Sequence, residues 1–228
     1  MKAVRLIKEA DVIIYDELGS QEALGFARPD ASLVYVGKRG GRESIKQPAI
    51  DALLVQHCTE GRRVVRLKGG CPSVFSRLSS EVAALSAAGL EWELVPGISS
   101  ALSAPLFAGF PLTHKSLSPS FTVVSGHDVD GTDWGAFAQL PTLAVLMAGR
   151  NLGRIVGKLV EVGWAPDTPV AVVRSAGLPE QRVWRSSLQA VEADTANAGP
   201  LSPCIVIIGR VAGDANVDEG TGDGADGS

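Results

Sequence analysis

Residues 64–73 read VVRLKGGCPS. A short β-branched run ends at Leu67, and the paired glycines Gly69 and Gly70 follow almost at once, forming a turn whose bare backbone can approach a ligand closely. The same grammar recurs on either side. Val12–Tyr15 runs into Asp16-Glu17-Leu18-Gly19-Ser20, Leu33–Val36 into Gly37-Lys38-Arg39-Gly40-Gly41, and Glu91–Val95 into Pro96-Gly97-Ile98-Ser99-Ser100. Amphipathic stretches separate these runs. In one of them Ile50, Leu54 and His57 share a face with Ala49, Leu53 and Cys58, and Pro48 stands where a first helical residue tolerates it. Strand and helix in alternation predict βα units on a mainly parallel sheet, with the turns gathered along one ligand-binding edge.

Downstream, PLTHKSLSPS (111–120) is polar, holds prolines and marks the expected internal boundary. Strands are expected again at Phe121–Val124, Leu143–Met147, Val170–Val173, Arg182–Arg185 and Cys204–Ile208, with helices at Leu152–Val162 and Leu188–Ala196. The close spacing of the last strands predicts a mixed sheet with an antiparallel portion. The reading is two α/β domains, 1–112 and 113–211, with the active site in the cleft between them, and a disordered acidic tail over 212–228. The first domain opens on a helical pattern (Ala3, Leu6, Ile7 and Ala10 on one face) with no strand before it. A parallel domain ordinarily begins with a strand, so the expectation is a chain whose first strand is missing.

The chain has 228 residues and a net charge of −4, and the tail from Gly213 holds five acids and no base, so the remainder carries +1. That balance excludes a surface that tracks nucleic acid as a whole and confines any cationic patch to a locality. No apolar run approaches the roughly 20 residues of a membrane helix, and no secretory leader is visible. Three scattered cysteines, Cys58, Cys71 and Cys204, give neither a disulfide framework nor zinc spacing. Two histidines, His114 and His127, lack a third ligand at helical spacing, so no metal is expected.

Several residues can carry chemistry, each beside a plainer reading. Asp16 ends a strand on the ligand edge, where a partly buried carboxylate can act as a base; it also suits a turn or helix cap. Lys38, Arg39 and Arg42 interleave with glycines as an anion site does, or as a solvated loop does. Arg66, Lys68 and Arg77 surround the Gly69–Gly70 turn with positive charge. Ser99 and Ser100 read as caps or as part of a ligand-facing turn. Met147 reads by itself as core. Walker, G-x-S-x-G and H-E-x-x-H patterns are absent, which leaves P-loop, serine-hydrolase and zinc-protease chemistry without support.

Taken in order, VIIYD ending at Asp16, YVGKRGG from Tyr35, VVRLKGG ending at Gly70, VPGISSALSAP from Val95, PLTHK from Pro111, SGHD from Ser125 and SPCIVIIGRV from Ser202 closely resemble the tetrapyrrole methylase family. The resemblance covers almost everything from Lys2 to Val211. Its substrate-side strings are those of the branch that methylates uroporphyrinogen III. It implies transfer of two methyl groups from S-adenosylmethionine to C2 and C7 of that macrocycle, giving precorrin-2, on the sirohaem and corrin branch. It also implies Asp16 as proton acceptor, Lys38 as proton donor, and Arg77, Arg39 and Lys68 as macrocycle contacts. The cofactor side implied is Gly69, Gly70, Cys71, Val74, Ser99, Ser100, Met147 and Ala176. A homodimer is implied, with no nucleic-acid or membrane partner, in bacterial cytoplasm or plastid stroma.

Four departures bear on that implication. The family's GGDP string has Asp where this chain has Cys71, a weaker acceptor. Its FVFGRGGEE region reads Ser73-Val74-Phe75-Ser76-Arg77-Leu78-Ser79-Ser80-Glu81, without the three glycines. Ala176 stands where many relatives have glycine. The opening strand and GxGPGD turn are not seen before Met1. These departures keep open a second reading, a non-catalytic homologue that binds a tetrapyrrole or a partner.

Overall fold

The computed structural model describes residues 1–16, 21–37 and 45–213. It divides into two compact units, Met1–Ser99 and Ser100–Ser228. The division falls before the polar stretch expected to separate the domains at 112. The reason is that Ala101, Ala104, Phe110 and Leu112 belong to the apolar core of the second unit.

The first unit runs α1 (Lys2–Glu9), β1 (Val12–Tyr15), α2 (Gln21–Leu24), β2 (Ser32–Tyr35), α3 (Gln47–Thr59), β3 (Val64–Leu67) and α4 (Leu78–Ala87). Its three strands form a parallel sheet in the order β2-β1-β3. Strand alternation sends Val12 and Ile14 to the face covered by Ile50 and Leu54 of α3, while Ile13 packs with Ile7 of α1 on the other. Glu91–Val95, expected as a strand, pairs with none among the described residues. That segment is anchored by side chains instead: Glu93 pairs with Lys2 at 2.5 Å, and the Trp92 indole donates to Ser86 Oγ at 2.9 Å.

The second unit runs α5 (Ser100–Phe107), β4 (Thr122–Ser125), β5 (Thr142–Leu146), α6 (Leu152–Glu161), β6 (Pro169–Arg174), β7 (Arg182–Ser187), α7 (Val191–Thr195) and β8 (Cys204–Gly209). Five strands order as β4-β5-β8-β6-β7, with β4 and β5 parallel and the other neighbours antiparallel. This is the mixed sheet expected from the spacing of the last strands. The central strand β8 alternates Cys204, Val206 and Ile208 into one apolar cluster and Ile205 and Ile207 into the other. Both faces of the sheet are therefore covered, and no residue of β8 is left exposed.

Candidate active site

In the first unit, register decides which side chains meet. Ile14 stands beside Arg66, and Tyr15 beside Leu67. Alternation then puts Asp16, Arg66 and Lys68 on the face that Val12, Ile14 and Val64 occupy further down, over α3 and α4. That face is apolar at the strand starts and ionic at the strand ends. Arg66 Nη2 donates to Asp16 Oδ2 at 2.9 Å, and Arg66 Nε to Glu81 Oε1 at 3.1 Å. Lys68 Nζ reaches Glu81 at 2.8 Å and the Ser76 carbonyl at 2.6 Å. Only 6% of the Lys68 side chain and 4% of the Glu81 side chain are exposed, against 30% for Asp16. Burial pulls the Lys68 pKa down; the hydrogen bond to Glu81 opposes that pull.

Lys68, expected as a macrocycle contact, is thus committed to a buried carboxylate. Glu81 was missed in the sequence, although a signal existed: two cations at i and i+2 on one face of a packed strand require an acid nearby. Lys38 and Arg39, together with Arg42, lie outside the described residues.

The glycine turn after β3 is where the sequence placed it. Gly70 has φ +77°, and a Cβ built on Gly97 would stand 2.1 Å from the Gly70 carbonyl oxygen, so the backbones meet where no side chain fits. Ser99 is buried beside this turn; a Cβ on Gly70 would lie 3.9 Å from its Cα. The structure therefore brings Gly70, Cys71, Gly97 and Ser99 together, with Gly69 and Gly70 exposed on the surface. Val74 follows within the same turn, its N–H donating to the Cys71 carbonyl at 3.1 Å. Cys71 Sγ lies 3.0 Å from Ser73 Oγ. The Ser73 hydroxyl, then the Ser73 and Gly97 N–H groups, hold its thiol below the ordinary value of 9.0. An exposed glycine turn flanked by hydrogen-bond donors can accept a polar group.

Left-handed backbone occurs in both units. Among the described residues, the non-glycine positions with positive φ are Phe75 (46°), Arg77 (59°), Met147 (59°) and Ser175 (49°). Met147 and Ser175 directly follow β5 and β6, Arg77 directly precedes α4, and each of the four costs roughly 1–2 kcal/mol relative to glycine. Ser76, Leu78 and Ser79, which stand where the resemblance has glycine, do not have positive φ; Phe75 and Arg77 do. Met147 is 46% exposed at the end of β5, which corrects its reading as core. Ser100 opens α5, and partly buried Ala176 packs on the second unit's core directly after Ser175. Arg77, exposed at the start of α4, lines an open cavity of about 500 Å³ with Ile45, Lys46, Gln47 and Pro48. Lys46 is a second cation there, one the sequence reading did not single out. No three metal-ligating side chains cluster among the described residues, and no helix among them is long and apolar enough to cross a membrane.

Comparison with known proteins shows the family of the chain. The profile of the Tetrapyrrole (Corrin/Porphyrin) Methylases matches residues 1–192. The chain is 44% identical to the uroporphyrinogen-III C-methyltransferase of Synechococcus elongatus, over 92% of this chain and 86% of that one. It is 39% identical to the enzyme of the same name from Methanocaldococcus jannaschii, over 92% and 89%. It also matches 46% of the length of a Methylococcus capsulatus siroheme synthase at 41% identity. Among solved structures, the Thermus thermophilus uroporphyrin-III C-methyl transferase complexed with S-adenosylhomocysteine superposes with a TM-score of 0.78 at 38% identity, covering 92% of this chain and 90% of that one. A cobalt precorrin-4 methyltransferase at 21% identity shares the fold, with a TM-score of 0.83. With a profile spanning most of its length and relatives this similar across most of theirs, the chain belongs to the tetrapyrrole methylase family.

Proposed function

We propose that this chain transfers methyl groups from S-adenosylmethionine to C2 and C7 of uroporphyrinogen III, giving precorrin-2. The observation that supports the reading best is the Asp16 carboxylate, held at 2.9 Å by Arg66 at the end of β1 in a chain of this family. Bound S-adenosylmethionine supplies an electrophilic methyl group on a sulfonium. The turn Gly69-Gly70-Cys71, with Val74 and Ser99, would hold its polar end, with Ser100, Met147 and Ala176 as the remaining contacts. C2 and C7 already carry side chains and have no hydrogen, so each methyl transfer leaves a cationic ring that must lose a proton from a neighbouring atom of the macrocycle. Asp16 accepts that proton, and Lys38 donates one where the macrocycle tautomerises. General acid–base help of this kind contributes roughly 10²–10⁴-fold.

The macrocycle carries eight carboxylates, and Arg77 and Arg39 meet them, with Lys46 adding charge at the cavity that Arg77 lines. Each charge-assisted contact contributes about 1.5–3 kcal/mol. A homodimer in the cytoplasm completes the reading.

The test is product formation by the purified chain with both substrates under anaerobic conditions. The expected product gains two methyl groups, with two equivalents of S-adenosylhomocysteine released, and Asp16→Asn slows its formation at least 100-fold. A chain that binds the macrocycle and releases no S-adenosylhomocysteine is the non-catalytic homologue, a reading that Cys71 favours.

A further inference from the structure

We propose that Arg66 and Glu81 are positioning residues for Asp16. Glu81, buried on α4, fixes the guanidinium of Arg66 on β3, and that guanidinium fixes the carboxylate. The proposal rests on the reading of Asp16 as proton acceptor and deepens it.

The donor inventory of Arg66 carries the argument. Nη1 donates to the carbonyls of Leu67 at 2.8 Å and Ile14 at 3.3 Å, Nε to Glu81 at 3.1 Å, and Nη2 to Asp16 at 2.9 Å. Four of the five N–H groups of a guanidinium are therefore used inside the first unit. Arg66 is 13% exposed at its side chain, too committed to act as one more cation for a polyanionic substrate. Backbone carbonyls on two adjacent strands fix where the planar group lies, and Glu81 fixes how it is turned. Glu81 is held in turn: Lys68 donates to it at 2.8 Å and Gln47 Nε2 at 3.4 Å, while Gln47 also donates to Asp51 at 2.7 Å. Gln47 lines the cavity that contains Arg77 and Lys46, so a continuous set of contacts joins Asp16 to the wall of the cationic cavity.

A base at the end of a strand has two side-chain torsions to settle. A misplacement of about 1 Å costs on the order of 10² in rate. A lysine at 66 would supply charge without the planar fork that spans Glu81 and Asp16.

The experiment is a double-mutant cycle. Single-turnover methyl transfer and KM for both substrates are measured for Arg66→Gln and for Glu81→Gln, each in the native and the Asp16→Asn background. Arg66→Gln should lower kcat about 100-fold with KM changed less than about threefold. Glu81→Gln, which keeps the shape and the acceptor oxygen, should lower it about 10-fold. It serves as the arm that remains if Arg66→Gln does not fold. Unchanged S-adenosylhomocysteine binding reports an intact fold. In the Asp16→Asn background both effects should shrink to about twofold, because the carboxylate through which they act is gone. Full losses that persist in that background overturn the proposal and leave the role of Asp16 standing. Native kcat in Asp16→Asn alone overturns the reading of Asp16, and this proposal with it.

Discussion

Strand β8 in the second unit is buried along its whole length, whereas β3 in the first has no fully buried residue and carries Arg66 in its middle. β8 is the central strand of its sheet and β3, among the described residues, stands at the edge of its own; both follow from short β-branched runs, yet they do different work. Around β8 the sheet alternates apolar side chains into two separate clusters. Around β3 the same alternation delivers Val64 to an apolar floor and then Arg66 and Lys68 to an ionic ceiling closed by Glu81. The second sheet is a scaffold. The first links four charged groups, Asp16, Arg66, Lys68 and Glu81, in one set of ion pairs.

The sharpest way to break this contrast is to remove apolar volume. Ile208→Ala, at a residue with no exposed surface, should destabilise the protein by about 2–5 kcal/mol. Leu33→Ala on β2, where half the side chain is already in water, should cost below about 1 kcal/mol. Urea midpoints measure both, and equal losses would mean that the two sheets do not differ in this way. Next in size is Gly97→Ala. Its Cβ would fall 2.1 Å from the Gly70 carbonyl oxygen, so the turn must open. Overpacking against backbone should weaken S-adenosylhomocysteine binding by about 3 kcal/mol, roughly 100-fold, in calorimetric titration. Native affinity in that variant would move the cofactor away from this turn.

Two cysteines carry the same contrast into pH. Burial pushes the Cys204 thiol up to about 11 from an ordinary 9.0, with Arg174 opposing. The folded chain therefore holds this proton to higher pH than the unfolded chain does. The stabilisation is complete below pH 9 and is lost as pH rises from 9 to about 11. Two pH units correspond to at most about 2.7 kcal/mol. Cys204→Ala should flatten that part of the stability profile relative to the native protein; identical slopes would show that folding does not change the proton affinity of the thiol.

Much of this was legible in the sequence because β-branched runs bounded by glycine turns leave few alternatives. β1 and β3 lie where the runs Val12–Tyr15 and Val64–Leu67 put them, and the antiparallel end of the second sheet follows from strand spacing. Glu91–Val95 failed as a strand for a reason no local pattern reveals: a ladder needs a neighbour, and none pairs with it among the described residues. Met147 ends an apolar run, but its left-handed backbone turns it outward, and φ is not written in composition. Lys68 looked like a ligand contact because a cation beside a glycine turn resembles an anion site. Only the burial of Glu81, one acid among the apolar residues of α4, shows where that charge goes. The departures from the family's glycines were visible as substitutions, while the left-handed conformation of Phe75 and Arg77 was not.

The smallest expected effect is the most informative about the cofactor turn. Cys71 is the counterpart of Cys204 in the first unit, and its surroundings act in the opposite direction: the Ser73 hydroxyl and the N–H groups of Ser73 and Gly97 all favour negative charge on the sulfur. The surroundings thus already favour negative charge at position 71. Cys71→Asp should place full charge where the thiol supplies only partial charge, and should tighten S-adenosylhomocysteine binding about tenfold, or 1.4 kcal/mol. Cys71→Asn has the same shape without the charge and should stay within about twofold of the native protein. If the two variants bind equally well, shape rather than charge governs the turn. If Cys71→Asp weakens binding, the donors of Ser73 and Gly97 serve the loop alone, and the polar end of the cofactor must be held elsewhere.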